Sequence, residues 1–163
     1  MNLERAINIA VKSHEGQTDK AGAPYILHAL RVMMRMETEH AKIAAVLHDV
    51  IEDTSVTIDD LRQAGFTTDV LSTLDHLTHR ADEPYESYIE RVSVHPMARR
   101  IKITDLEDNM DMKRVPQIAE RDIVRWQKYH RAWMRLRTME APNQASEATL
   151  EPAPGAASSA PQG

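Results

Sequence analysis

From Leu3 to about residue 138, apolar side chains return every three or four positions, and no stretch alternates apolar with polar over a useful length. That period belongs to amphipathic helices and leaves no material for a sheet. Leu3, Ala6, Ile7, Ala10 and Val11 predict a first helix, broken by Gly16, Gly22 and Pro24. A second begins near Tyr25, and a third runs from about His40 into "LHDVIEDT" at 47–54. Thr57 followed by Asp60 reads as a capping box, and Gly65 as a stop, so 58–64 is a short helix. Further helices are expected near 68–78, 84–94, 97–110 and 117–138. Aromatic residues are only 4% of the chain against 42% apolar, so the core must be built from Leu, Ile, Val, Ala and Met. The expectation is an all-α, compact helical bundle. No period of 20–50 residues marks an internal repeat.

Length and charge narrow the function. The 163 residues suggest one domain over 1–139, with 140–163 as a disordered Ala/Pro-rich tail holding four of the eight prolines. Formal net charge is −5, of which Glu147 and Glu151 supply −2. A body at −3 argues against a nucleic-acid partner. There is no cysteine, which removes disulfides and thiolate ligands and fits a cytoplasmic setting. Charges begin at Glu4, so the start does not look like a signal peptide, and no run approaches the length of a membrane span. No membrane partner is expected, and oligomeric state is left open.

The chemistry concentrates in "LHDVIEDT". Read as a regular helix, His48 and Glu52 share one face, and Asp49 and Asp53 another. Four such groups on an otherwise apolar helix are costly to bury unless something satisfies them. A divalent cation does so, and imidazole with carboxylate suits Mn²⁺, Fe²⁺ or Zn²⁺. His28, in "PYILHALRV", and Asp105, in "RRIKITDLEDNM", sit among apolar neighbours and are the candidate remaining ligands.

This set, His28, His48-Asp49 and Asp105 in chain order, resembles that of the HD-domain phosphohydrolases. "HDVIEDT" with "KAGAPYILHALRV" is more specifically similar to the hydrolase domain of RelA/SpoT-type enzymes, over roughly residues 1–138. The nearest type is the small alarmone hydrolases. The resemblance implies an HD-domain bundle with a metal site between helices. It implies an enzyme that removes the 3′-pyrophosphate of (p)ppGpp with a divalent metal, Mn²⁺ by preference. It makes His28, His48, Asp49 and Asp105 the ligands and Glu52 and Asp53 the catalytic carboxylates, acting as base or orienter of the water. Lys20, Lys102 and Asn109 fall to binding the nucleotide. This sequence departs from the pattern in three places, one of them His79 in "LTHR", where the family more often has a lysine. Asp19 stands where the family carries an arginine that lies against the nucleobase, and "KITDLEDNMD" replaces the usual "KLADRLHNMR". Those departures motivate the alternative of a different nucleotide or phosphorylated metabolite. A catalytically silent scaffold that binds a nucleotide is a third reading, disfavoured by the presence of Glu52 and Asp53.

The remaining histidines, 14, 40, 76, 79, 95 and 130, read as packing or surface residues. The base-rich segment after Arg114 reads as a terminal helix with Ile123, Trp126, Tyr129, His130 and Trp133 inward and its bases outward, rather than a nucleic-acid surface.

Overall fold

The computed structural model describes residues 2–115 and 117–140. Of the expected tail, 140–163, residue 140 is the last of the final helix and 141–163 lie outside the described residues. The chain winds through α1 (Leu3–Ser13), α2 (Ile26–Met34), α3 (Glu39–Leu47), α4 (Val50–Asp53) and α5 (Ile58–Gln63). It continues through α6 (Thr68–Leu77), α7 (Tyr85–Ser93), α8 (Pro96–Asn109), a 3-10 turn at Met112–Arg114, and α9 (Glu120–Glu140). No strand occurs among the described residues; the nearest thing is one isolated bridge between Thr18 and Pro24.

Local chemistry explains most helix ends. Thr57 Oγ1 accepts from Asp60 N–H while the Asp60 carboxylate accepts from Thr57 N–H, the reciprocal box the sequence predicts. Gly65 follows at φ 85°, a left-handed turn that costs a side chain but not glycine. Thr38 and Thr67 cap α3 and α6 in the same way, and His95 caps α8 through its ring Nδ1.

One sequence expectation changes. The motif segment is not a single helix: α3 ends at Leu47, His48 and Asp49 form a turn, and α4 starts at Val50. Neighbours on a regular helix point about 100° apart. Both residues keep right-handed helical backbone angles, and their side chains still meet, His48 Nε2 lying 3.0 Å from Asp49 Oδ2.

α3 is the centre of the bundle. Ala44, Ala45, Val46 and Leu47 are wholly buried, and α3 packs against α1, α2, α6 and α8. α9 then lies across α7 and α8. Its inward residues are Ala132 and Leu136, with Tyr129 and Trp133 partly buried against the core. Ile123 and His130 are exposed rather than inward as expected. The part of α9 up to Tyr129 borders the cavity described below, so its buried apolar stripe starts later, at Ala132. Leu136 is fully buried on that last contact. Leu136→Ala is expected to cost about 2–5 kcal/mol of stability by denaturant titration, with no change in the other helices.

Candidate metal centre and cavity

Three parts of the fold bring the site together. α2 delivers His28, the turn between α3 and α4 delivers His48 and Asp49, and α8 delivers Asp105. His28 Nε2 lies 3.1 Å from Asp105 Oδ1 and 3.6 Å from Asp49 Oδ2. His48 Nε2 lies 3.0 Å from Asp49 Oδ2 and 3.6 Å from Asp105 Oδ1. The ligand-capable atoms of His28, His48 and Asp49 all fall within 4.8 Å of one another. Asp105 is more committed: Oδ1 accepts from Asn109 at 2.6 Å and Oδ2 from Lys102 at 2.7 Å.

The ring orientations carry chemical information. His48 Nδ1 lies 2.8 Å from the Ala45 carbonyl, which can only accept, so Nδ1 carries the proton. His28 Nδ1 donates to the Asp108 carboxylate at 2.7 Å. Both Nε2 atoms are buried without a hydrogen-bond partner and face the same centre. Two fixed imidazoles with orphaned inward nitrogens, set beside two carboxylates, fit a divalent cation with room for further oxygen ligands.

Electrostatics among the protein groups agrees with that fit. Burial works against a charged His48, yet Asp49 and Asp105 outweigh it and raise its pKa well above 6.5. His28 moves the same way: burial opposes charge, and the neighbouring Asp105 and Asp108 carboxylates prevail. Asp49 and Asp105 are held below the usual carboxylate range despite burial, Asp49 mainly by His48 and Asp105 mainly by Lys102. The carboxylates therefore draw positive charge to this point. Tyr25 adds a hydrogen bond from its hydroxyl to Asp49 Oδ2.

A cavity of about 440 Å³ opens over this cluster, within the size range of small-molecule sites. Every residue the sequence assigns to the site lines it except His48, which lies behind the wall at 2% exposure. Glu52 and Asp53 stand at its edge. Partial desolvation pushes both carboxyl groups up, and for Asp53 the charge of Asp49 adds to it. The backbone N–H of His79 donates to Glu52 Oε2 at 3.0 Å and fixes that side chain. Lys20 is exposed at the rim, its pKa lowered by burial and then by Arg125. Lys102 and Asn109 are spent on Asp105 rather than presented freely.

Sequence reasoning missed several lining groups. α9 turns Arg125, Lys128 and Tyr129 toward the cavity, so part of its basic face is not an outer face. The i, i+3, i+4 spacing of these three was the available signal. His79 is not a plain surface residue: it lines the cavity, and its ring packs 4.9 Å from that of Tyr88. Asp19 is also explained. Its Oδ1 accepts from the backbone N–H of Ala21 and Ala23, and its Oδ2 pairs with Arg114 at 2.9 Å. It closes its own loop and anchors a cavity-lining guanidinium.

No family model matches the chain. Among curated proteins it is 37% identical over 112 residues to a guanosine-3′,5′-bis(diphosphate) 3′-pyrophosphohydrolase of Vibrio cholerae, covering 62% of this chain and 16% of that protein. It is 33% identical over 110 residues to the bifunctional (p)ppGpp synthase/hydrolase SpoT of Escherichia coli K12, covering 62% and 16%. The chain thus spans only 16% of the length of these relatives. Among solved structures it superposes on a metazoan SpoT orthologue described as hydrolysing ppGpp. The TM-score is 0.69 at 21% identity, over 82% of this chain and 84% of that one. Over the matched stretch the chain is similar in sequence to the RelA/SpoT-type hydrolases, and it shares their fold. Its all-α bundle is the HD fold, and no helix among the described residues is long and apolar enough to cross a membrane.

A divalent cation held by His28 and His48 would require neutral imidazole nitrogens, whereas the carboxylates raise both imidazole pKa values. Uptake of such a cation should therefore release protons, and affinity should weaken as pH falls, beginning above pH 6.5 rather than below it. Calorimetry in two buffers of different ionisation enthalpy measures the release; equal apparent enthalpies would remove His28 and His48 from the ligand set.

Proposed function

We propose that this HD domain hydrolyses the 3′-pyrophosphate of (p)ppGpp, using a divalent cation, Mn²⁺ by preference, held by His28, His48, Asp49 and Asp105. The observation that carries the reading is the meeting of those four side chains beneath a cavity edged by Glu52 and Asp53. The names of the sequence relatives support the choice of substrate. A bound divalent ion supplies Lewis acidity, activating water and polarising phosphoryl oxygens.

The protein's own groups do the rest. Glu52 takes the proton of the attacking water; its raised pKa makes it a better base than an ordinary surface carboxylate. Asp53 orients that water from the adjacent position. Water oxygen bonds to the phosphorus attached to the ribose 3′ oxygen, that P–O bond breaks, and the departing oxygen takes up a proton. Pyrophosphate and the nucleoside 5′-polyphosphate leave. Lys20, Arg125 and Lys128 gather the polyanion's charge at the rim, while Lys102 and Asn109 hold Asp105 in place and border the substrate. The aromatic rings of Tyr85, Tyr88 and Tyr129 give the cavity apolar surfaces for sugar or base. The partner is accordingly a small nucleotide and not a nucleic acid, consistent with the acidic body and with a cytoplasmic enzyme of the small alarmone hydrolase kind.

A second reading keeps the chemistry and changes the substrate. Its motive is specific: the loop position that carries an arginine in the family pattern holds Asp19 here, tied to Arg114. The base-binding end is thus built differently, and another phosphorylated nucleotide remains the competitor.

The test is a product profile of the Mn²⁺-loaded protein with ppGpp, GTP, NADPH and a phosphate diester. Pyrophosphate from ppGpp alone supports the first reading, and turnover only elsewhere supports the second. Glu52→Gln should retain Mn²⁺ and lose roughly 10²–10⁴-fold in kcat. Metal loss in that variant would make Glu52 a ligand instead.

A further inference from the structure

The two metal-facing imidazoles are held by different means. His48 is fixed from within its own segment, by the Ala45 carbonyl three residues earlier. His28 has no such support from α2. Its Nδ1 reaches across to Asp108 on α8, 80 positions away in the chain. Asp108 in turn is surrounded by donors. Arg31, one turn beyond His28 on α2, grips it through Nε at 2.7 Å and Nη2 at 3.0 Å. Arg114 Nη1 donates to Oδ2, the oxygen that His28 also uses. The carboxylate is only 10% exposed.

We infer that Asp108 is the positioning residue for His28, setting the ring so that Nε2 faces the metal. The inference rests on the metal reading above and concerns a residue in which this sequence departs from the family pattern. A carboxylate behind a ligand imidazole fixes its tautomer, limits its rotation and raises its basicity. Here the geometry does more. Asp108 lies one turn after Asp105 on α8, so one helix supplies a ligand and also the support for the ligand opposite. The two-pronged Arg31 contact sets the angle of that carboxylate, because a planar guanidinium bonds a carboxylate in one plane. α2 and α8 are thereby clamped at both His28 and Arg31, and the distance between two metal ligands is fixed from outside the site. Without Asp108, the His28 Nδ1–H has no acceptor in place, and two arginines lose their shared anion.

The measurement is the dissociation constant of Mn²⁺ alone, by electron paramagnetic resonance, for the wild type, Asp108→Ala, Asp108→Asn and Glu107→Gln. Asp108→Ala should bind Mn²⁺ roughly 10- to 100-fold more weakly. Asp108→Asn should fall between, since its amide oxygen still accepts from Nδ1 but carries no charge. Glu107→Gln also breaks an ion pair on α8, to Arg35, but touches no ligand and should leave the constant unchanged. A purely structural role would lower the melting temperature of Asp108→Ala and leave Mn²⁺ affinity of the folded protein at the wild-type value, which overturns the inference. If Asp108→Ala does not fold, Asp108→Asn decides: wild-type affinity there overturns it too. Absence of Mn²⁺ binding by the wild type overturns this inference together with the metal reading. Failure to hydrolyse ppGpp touches only the proposed reaction, since the constant is measured without substrate.

Discussion

A buried carboxylate, a partly buried one and two buried imidazoles meet within a few ångströms, and the bundle is arranged around the cost of that meeting. Asp49 and Asp105 repel each other, and neither can be left uncompensated in a low-dielectric interior. The protein answers with directed partners. Lys102 and Asn109 come to Asp105 from its own helix, Tyr25 comes to Asp49 from α2, and the imidazoles stand between. Each partner sits within a turn of a ligand, so the helices cannot slide without breaking the set. After this support the Nε2 atoms of His28 and His48 still lack a hydrogen-bond partner, and that is the observation on which the proposed metal reading rests.

The break between α3 and α4 falls at the two motif residues themselves, which keep right-handed helical backbone angles. The lost regularity is offset nearby: the Asp53 N–H reaches the Asp49 carbonyl at 2.9 Å, and the Thr54 hydroxyl donates to the Val50 carbonyl at 2.6 Å. The packing of α3, with four consecutive residues wholly buried, gives this turn a rigid base.

The charged surroundings divide into an inner and an outer set. Inside, cations are consumed by ion pairs: Lys102 by Asp105, Arg31 by Asp108, and Arg114 by Asp19 and Asp108. At the rim, Lys20, Arg125 and Lys128 face the cavity together, Arg125 also pairing with Asp122, and the pKa of Lys20 is lowered first by burial and then by Arg125. A local group of cations suits the phosphate-rich substrate proposed above despite the acidic net charge of the chain, because the field that matters is local.

The sequence by itself determined the elements and the identity of the clustered side chains. Helical period, the Thr57–Asp60 box and Gly65 act over a few residues, so they are legible locally. The His48-Asp49 pair, His28 and Asp105 stood out because each was a polar group in an apolar frame. Only the tertiary structure decided how these are supported and what faces the cavity. Asp108 meets His28 across 80 positions and Arg114 meets Asp19 across 95, and no periodicity encodes such pairs. The direction of the α9 bases was likewise invisible, since a helix pattern shows which residues share a face but not what that face overlooks. Local propensity writes itself into neighbouring residues; the pairing of distant ones is settled only when the helices pack.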